Sequence, residues 1–176
     1  MEHKYTVVFR RIKYPRLEFR TGNLNLILPP GTDPVSVIKK HKKWISYKSK
    51  LIAQSLNRIK NKDLINRSDE EFRILVQQLI ERNADQLRVK PNLIRYRKME
   101  TKWGSCSSEK NLGFNTKMRY LPKHMVEYVV YHELAHLQVK RHSPEFWKII
   151  GDKFKNYKTM EKSLFSYWFL IKRRFL

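Results

Sequence analysis

Residues 129–147 read VVYHELAHLQVKRHSPEFW and contain three histidines, His132, His136 and His142. His132 to His136 form an H-E-x-x-H pattern. Histidines four residues apart lie on one face of a helix, one turn apart, so two imidazole nitrogens can reach one ion. Glu133 is rotated by about 100° from His132 and could take a proton from a metal-bound water without being a ligand. The pattern predicts a zinc site at His132 and His136 with Glu133 as the general base.

The five-residue pattern is short, and its alternative is a helix that carries two surface histidines and a surface glutamate. The flanking segments VEYVVY (126–131) and LAHL (134–137) make the helix apolar on most sides, as expected of a buried helix. Burial of two imidazoles and a carboxylate costs free energy unless they gain a partner. A metal ion would offset that cost, so the context favours the metal site.

A third ligand is expected, because a catalytic zinc ion keeps three protein ligands and one open position. In one continuous helix, His142 would lie about 15 Å along the axis from His132. Ser143 is a typical N-cap and is followed by proline, which predicts that a new helix starts here and that His142 lies in a connection. His142 could then fold back toward the ion. Glu145 and Glu161 stay open as carboxylate alternatives.

The rest of the chain predicts an α+β order of elements rather than alternating strands and helices. Residues 68–72, SDEEF, contain a capping box of Ser68 and Glu71 that starts a helix. The other predicted elements are strands within 5–28 with a turn at 21–23, one helix over 34–60, strands within 92–118 with a turn at 107–111, a helix from about Pro122, a helix from Ser143, and a helix over about 158–172.

Composition excludes several classes of protein. The 176 residues are 41% hydrophobic, which is typical of a globular chain. The single cysteine, Cys106, excludes a disulfide framework and a cysteine-rich zinc site, although the thiol could approach the zinc ion. No apolar run approaches 18 residues, and the N-terminus lacks the pattern of a signal peptide. We therefore expect a soluble, cytoplasmic protein with no membrane partner; the oligomeric state is not indicated.

Charge is the strongest compositional feature. The chain has 38 Lys plus Arg against 16 Asp plus Glu, a net charge of +22. Residues 1–62 hold 15 basic and 3 acidic residues, a net +12. Such an excess attracts polyanions through counterion release. Nucleic acid is thus a candidate partner through the basic surface, although the chain carries no recognised nucleic-acid-binding motif.

Three segments in this order resemble the YgjP-like zinc metallopeptidases, a branch of the zincin group close to the SprT-like proteins. They are WGSCSS (103–108), YVVYHELAHL (128–137) and HSPEFW (142–147), and two N-terminal segments, LNLILPPGTD (24–33) and KKWI (42–45), are also similar. The resemblance implies an α+β zincin-like domain with a small antiparallel sheet and an N-terminal β-hairpin plus helix extension. It further implies one zinc ion per chain bound by His132, His136 and His142, Glu133 as general base, and a peptide or protein substrate.

This resemblance divides the chain into a basic extension, residues 1–62, and a metallopeptidase domain, residues 63–176, which together could form one compact unit. It also suggests that the strand within 111–118 forms a sheet edge that pairs with an extended peptide; the alternative is an ordinary core hairpin.

Metzincins share the spacing of the third histidine but have glycine where this chain has Val139, so the chain is not assigned to them. Candidates for polarising the substrate carbonyl are Tyr131, Arg119, His124 and Arg141.

A rival hypothesis from another class is a nucleic-acid-binding protein whose zinc site is structural or vestigial. A combination of both functions, a basic peptidase that acts on nucleic-acid-associated proteins, is suggested by the resemblance to SprT-like proteins.

Overall fold

A computed structural model describes residues 5–20, 23–59 and 64–175 of the chain. Within these ranges the fold is α+β, as predicted, with six α-helices and two three-stranded sheets. Two compact units are present: residues 1–61 together with 165–176, and residues 62–164. The boundary between the predicted extension and the predicted domain falls at residues outside the described ranges, and that division stays a prediction.

The N-terminal sheet consists of β1 (Tyr5–Phe9), β2 (Arg16–Arg20) and β3 (Asn23–Leu28). β3 is central, antiparallel to β2 and parallel to β1. Its alternating sequence NLNLIL buries one face against the helices that follow, as the period of two predicts. That core contains Leu24, Leu26, Leu28, Val37 and Ile45. The predicted turn includes residues 21 and 22, which lie outside the described residues.

The prediction of one helix over residues 34–60 is wrong. Two helices occupy this segment, α1 (Pro34–Lys40) and α2 (Lys42–Ile59), and residue 60 lies outside the described residues. Asp33 caps α1 by accepting hydrogen bonds from the N–H groups of Val35 and Ser36. The chain leaves helical geometry at His41, where φ is −103° and ψ is 14°. The sequence contains neither glycine nor proline at this break, and these are the residues that usually signal the end of a helix. The break could therefore not be predicted from the sequence.

The second unit begins with α3 (Asp69–Leu87), whose capping box forms as predicted: the Ser68 hydroxyl accepts from the Glu71 N–H, and the Glu71 carboxylate accepts from the Ser68 N–H. Three strands follow, β4 (Ile94–Arg97), β5 (Gly104–Cys106) and β6 (Leu112–Asn115). The sheet expected to be antiparallel is mixed, since β4 runs parallel to β6 and β5 antiparallel to it.

The position of β6 contradicts the expectation that residues 111–118 form a sheet edge. The strand order is β4-β6-β5, so both edges of β6 are already paired and neither can accept a peptide. All four of its residues are buried, and strands buried on both faces favour the centre of a sheet. The edge strand on the side of the following helix is β5.

After a short 3-10 helix (Thr116–Tyr120), three helices complete the fold: α4 (Lys123–Ala135), α5 (Pro144–Lys153) and α6 (Tyr157–Phe175). α4 packs on α3, β5 and α5 and is buried on most sides, as its apolar sequence predicted. None of the described helices is long and apolar enough to cross a membrane.

Candidate metal centre

The structure brings the three predicted histidines together. His132 lies in the last turn of α4, His136 is the C-cap of that helix, and His142 lies in the connection to α5. One ligand atom of each side chain lies within 4.8 Å of those of the other two. The Nε2 atoms of His132 and His142 are 3.0 Å apart. These three side chains, called the histidine cluster below, thus converge on one point from three positions of the backbone.

The backbone between the two helices explains how His142 turns back. α4 ends at Ala135, and the Ser143 hydroxyl caps α5 by accepting from the Phe146 N–H at 3.4 Å, as predicted. Val139 has no positive φ, so a glycine is not required for this turn. Its carbonyl instead accepts a hydrogen bond from His136 Nδ1 at 3.1 Å. That bond leaves the lone pair of His136 on Nε2, on the opposite side of the ring.

Two aromatic rings of α5 hold the cluster in place. Phe146, fully buried, stacks on His136 with ring centroids 4.5 Å apart. Trp147 stacks on His142, with ring centroids 5.3 Å apart, and on Tyr157, with ring centroids 5.1 Å apart. Sequence reasoning did not single out Trp147 as a functional residue, although it contacts a site residue directly. Its place five residues after His142, one helical turn inside a capped helix, was the available sequence signal.

Burial sets the protonation of His132 and His136. It lowers the pKa of His132 to about 3, with smaller contributions from the neighbouring His136 and His142. Burial also lowers the pKa of His136. Both imidazoles are therefore neutral near pH 7, which is the form that binds metal ions. Nδ1 of His132 is buried and has no hydrogen-bond partner among the described residues.

These observations fit a metal ion. Neutral imidazole is a favoured ligand of zinc and other transition metals, and three converging nitrogens leave room for a fourth, non-protein ligand. The chemistry of the donors thus agrees with a three-histidine site.

Glu133 directly follows His132 in α4, and its side chain points to the sheet. The residue is 7% exposed and packs closely against Gly104 of β5. Burial raises the pKa of its carboxyl group to about 8, against the opposing effect of Lys102. A carboxyl group with such a pKa can hold or release a proton near neutral pH, as a general acid–base group must. A bound cation nearby would lower this pKa again.

The alternative ligands do not join the histidine cluster. Glu145 is exposed in the first turn of α5. Glu161 accepts a hydrogen bond from the Tyr128 hydroxyl at 2.6 Å. Cys106 is half-buried, burial raises the pKa of its thiol, and its Sγ lies 3.9 Å from Lys140 Nζ. A thiol with a raised pKa is a poor ligand and a poor nucleophile.

The candidates for polarising a substrate carbonyl differ in placement. Arg119 forms an ion pair with Asp69 at 2.8 Å, and Tyr131 is buried against Phe154. His124 is exposed in the first turn of α4, about 12 Å along the helix from His132. Arg141 is exposed and adjacent in sequence to His142, as the buried Tyr131 is to His132. Arg141 is therefore the exposed candidate that is next in sequence to a residue of the histidine cluster.

Comparison with known proteins adds the family. Residues 47–167, more than half of the chain, match the family described as YgjP-like, metallopeptidase domain. The chain matches no curated protein significantly in sequence. Among solved structures it is similar to the metallopeptidase zymogen abylysin of Pyrococcus abyssi, with 24% identity, a TM-score of 0.48 and coverage of 52% of this chain and 92% of that one. It is also similar to the metallopeptidase zymogen jannalysin of Methanocaldococcus jannaschii, with 21% identity, a TM-score of 0.44 and coverage of 51% and 90%.

The family match covers α4, the histidine cluster and the sheet beside them. A metallopeptidase family implies a bound metal and a peptide or protein substrate. The chain belongs to the YgjP-like metallopeptidases.

Proposed function

We propose that the protein is a zinc-dependent peptidase with one zinc ion per chain, bound by His132, His136 and His142, and with Glu133 as the general base. The observation that carries this proposal is the convergence of three imidazoles on one point, with a buried carboxyl group on the residue that follows His132. Zinc is the metal that suits such a set, because it accepts three imidazole ligands and keeps a fourth position open.

A bound zinc ion would supply Lewis-acid chemistry, polarising a carbonyl group and lowering the pKa of water to about 7. The chain's own contribution is the carboxyl group of Glu133. As a carboxylate it accepts the proton of the attacking water, and as a carboxylic acid it donates that proton to the leaving amine. Its burial keeps bulk water away from the proton and raises the pKa toward the working range of both steps.

The substrate is proposed to bind along β5. This strand is paired with β6 on one edge only, and no described strand pairs with its other edge. An extended peptide added to that edge would form main-chain hydrogen bonds, with little dependence on its side chains. Because Gly104 of β5 lies against Glu133, such a peptide would run close to the general base. We therefore expect cleavage of unfolded chains with weak sequence specificity.

Nucleic acid is proposed as a second partner, bound by the N-terminal unit. Lys39, Lys40 and Lys43 are exposed on α1 and the start of α2. Trp44 and Tyr47 of the same segment are 38% and 61% exposed. Cationic side chains next to exposed aromatic rings suit single-stranded nucleic acid, in which phosphates meet the cations and bases stack on the rings. The substrates would then include proteins associated with nucleic acid.

Cleavage of unfolded casein, with and without a chelator, tests the peptidase proposal. The expected result is cleavage by zinc-loaded wild type, loss of cleavage with chelator, and recovery on adding zinc. Glu133→Gln should bind zinc normally and lose cleavage by 10²-fold or more. Chelator-resistant cleavage, or a clean protein without zinc, would refute the proposal.

Addition of single-stranded DNA to the same assay tests the second partner. We expect salt-dependent DNA binding and faster cleavage of a DNA-bound substrate; equal rates with and without DNA would count against it. DNA binding that persists in Glu133→Gln, in a protein that cleaves nothing, would favour the rival function, a nucleic-acid-binding protein with a structural or vestigial zinc site.

A further inference from the structure

Gly104 is the point at which the sheet meets the proposed general base. Strand β5 packs against α4, and the α-carbon of Gly104 faces the Glu133 side chain. A Cβ atom at this position would lie 2.6 Å from Glu133 Cγ, 2.6 Å from Oε1 and 2.8 Å from Cδ. These separations are well below van der Waals contact, so Glu133 occupies the space that any other residue at position 104 would need.

The strand cannot recede to make room. Gly104 of β5 pairs with Phe114 of the central strand, β6. The Asn115 N–H donates a hydrogen bond to the Trp103 carbonyl at 2.8 Å. The fully buried Asn115 side chain also donates to the carbonyls of Met99 and Lys102, at 2.9 and 2.8 Å, which fixes the loop that leads into β5. The backbone on both sides of Gly104 is therefore held by hydrogen bonds.

The helix cannot recede either. Leu134 and Ala135 beside Glu133 are fully buried, and α4 packs between α3, α5 and the sheet. Closely packed interiors offer few voids for an added methyl group. The movable group is the end of the Glu133 side chain, because all three atoms that the new Cβ would meet lie beyond its own Cβ. An added methyl group at position 104 would thus displace the carboxyl group rather than the backbone.

We propose that Gly104 is a positioning residue for peptide hydrolysis: its bare α-carbon is what lets the Glu133 carboxyl group lie between α4 and β5. The inference rests on the proposed role of Glu133 as general base. The inference assigns a function to Gly104 of the WGSC segment (103–106), although a glycine has no side chain that could take part in the chemistry.

Gly104→Ala tests this in the full-length, zinc-loaded protein. The variant should retain one zinc ion per chain, keep KM for a casein-derived peptide within about threefold, and lose about 100-fold in kcat, since a displacement of about 1 Å can cost that much. Gly151→Ala is the matched control, because its added Cβ would meet the Tyr157 ring at an ordinary 3.7 Å. Loss of zinc from Gly104→Ala, or a kcat within twofold of wild type, would overturn the inference.

A double-mutant cycle on thermal stability gives a readout that does not depend on activity. Gly104→Ala should lower Tm by roughly 2 to 10 °C in the wild-type background. In Glu133→Ala, which lacks all three clashing atoms, the same change should leave Tm unaltered. An equal decrease in both backgrounds, or none in either, overturns the positioning role. If the cycle shows coupling but the wild type cleaves no peptide, the contact stands and the proposed peptidase function fails.

Discussion

Replacement of His142 with alanine separates metal binding from folding. The side chain is exposed and lies in a connection, so its loss should change the stability of the metal-free protein by no more than about 0.5 kcal/mol. Its Nε2, however, lies 3.0 Å from that of His132, where it can share a metal ion. The variant should therefore fold like wild type and bind zinc much more weakly.

The size of the effect follows from mass action. At free zinc of about 100 times the wild-type Kd, binding stabilises the folded state by about 2.7 kcal/mol, which for a chain of this length raises Tm by roughly 5 to 11 °C. If loss of one of three ligands weakens binding about 100-fold, the same zinc concentration stabilises the variant by only about 0.4 kcal/mol, or about 1 to 2 °C.

Differential scanning calorimetry in zinc buffers, with and without chelator, measures both quantities. His124→Ala is the control, because this exposed histidine of α4 lies outside the histidine cluster. It should show the full zinc-induced rise in Tm. A full rise in His142→Ala would show that His142 is not a ligand, and a low Tm without zinc would show that its role is in folding.

Three further predictions concern stability. Ser68→Ala removes the cap of α3 and should lower the free energy of unfolding in urea by about 1 kcal/mol; an unchanged value would contradict the role of the cap. Lys153→Met leaves Oδ1 of the fully buried Asn83 without its donor, at a cost of about 1 to 3 kcal/mol by the same measurement, and wild-type stability would refute this. In metal-free protein, the raised pKa of Glu133 means that the unfolded chain ionises first, so the contribution of this residue to stability should fall as pH rises from about 4.5 to about 8. The lowered pKa of His132 acts in the opposite direction below about pH 6.5. Glu133→Gln should remove the decrease in stability that Glu133 causes, most clearly between about pH 6.5 and 8. Parallel curves of stability against pH for the two proteins would exclude a contribution from Glu133.

Local chemistry made much of the fold predictable. The alternation of NLNLIL (23–28) indicated a half-buried strand, the capping box at Ser68 marked the start of α3, and Ser143 marked the start of α5. Each of these depends on residues within one turn or one strand, so the sequence carries the whole signal. The break at His41 is equally local but has no distinctive residue, which is why the predicted single helix was wrong.

The sequence by itself determined the chemical nature of the candidate site. His132, Glu133 and His136 share one helix, and their spacing places the two imidazoles on the same face whatever the rest of the fold does. It also predicted that the helix ends before His142, which allows this residue to turn back toward the other two histidines. Apolar flanks indicated that this helix is buried, and α4 is buried on most sides.

Only the tertiary structure decided where these groups lie relative to the rest of the chain. The mixed sheet with β6 at its centre, the stacking of Trp147 on His142, and the contact of Gly104 with Glu133 all join residues from different elements. Such contacts depend on how the elements pack, and no local pattern specifies which strand will be the edge or which glycine will meet a carboxylate. Periodicity identifies the face that an element buries, whereas close packing in three dimensions selects the atoms that meet there.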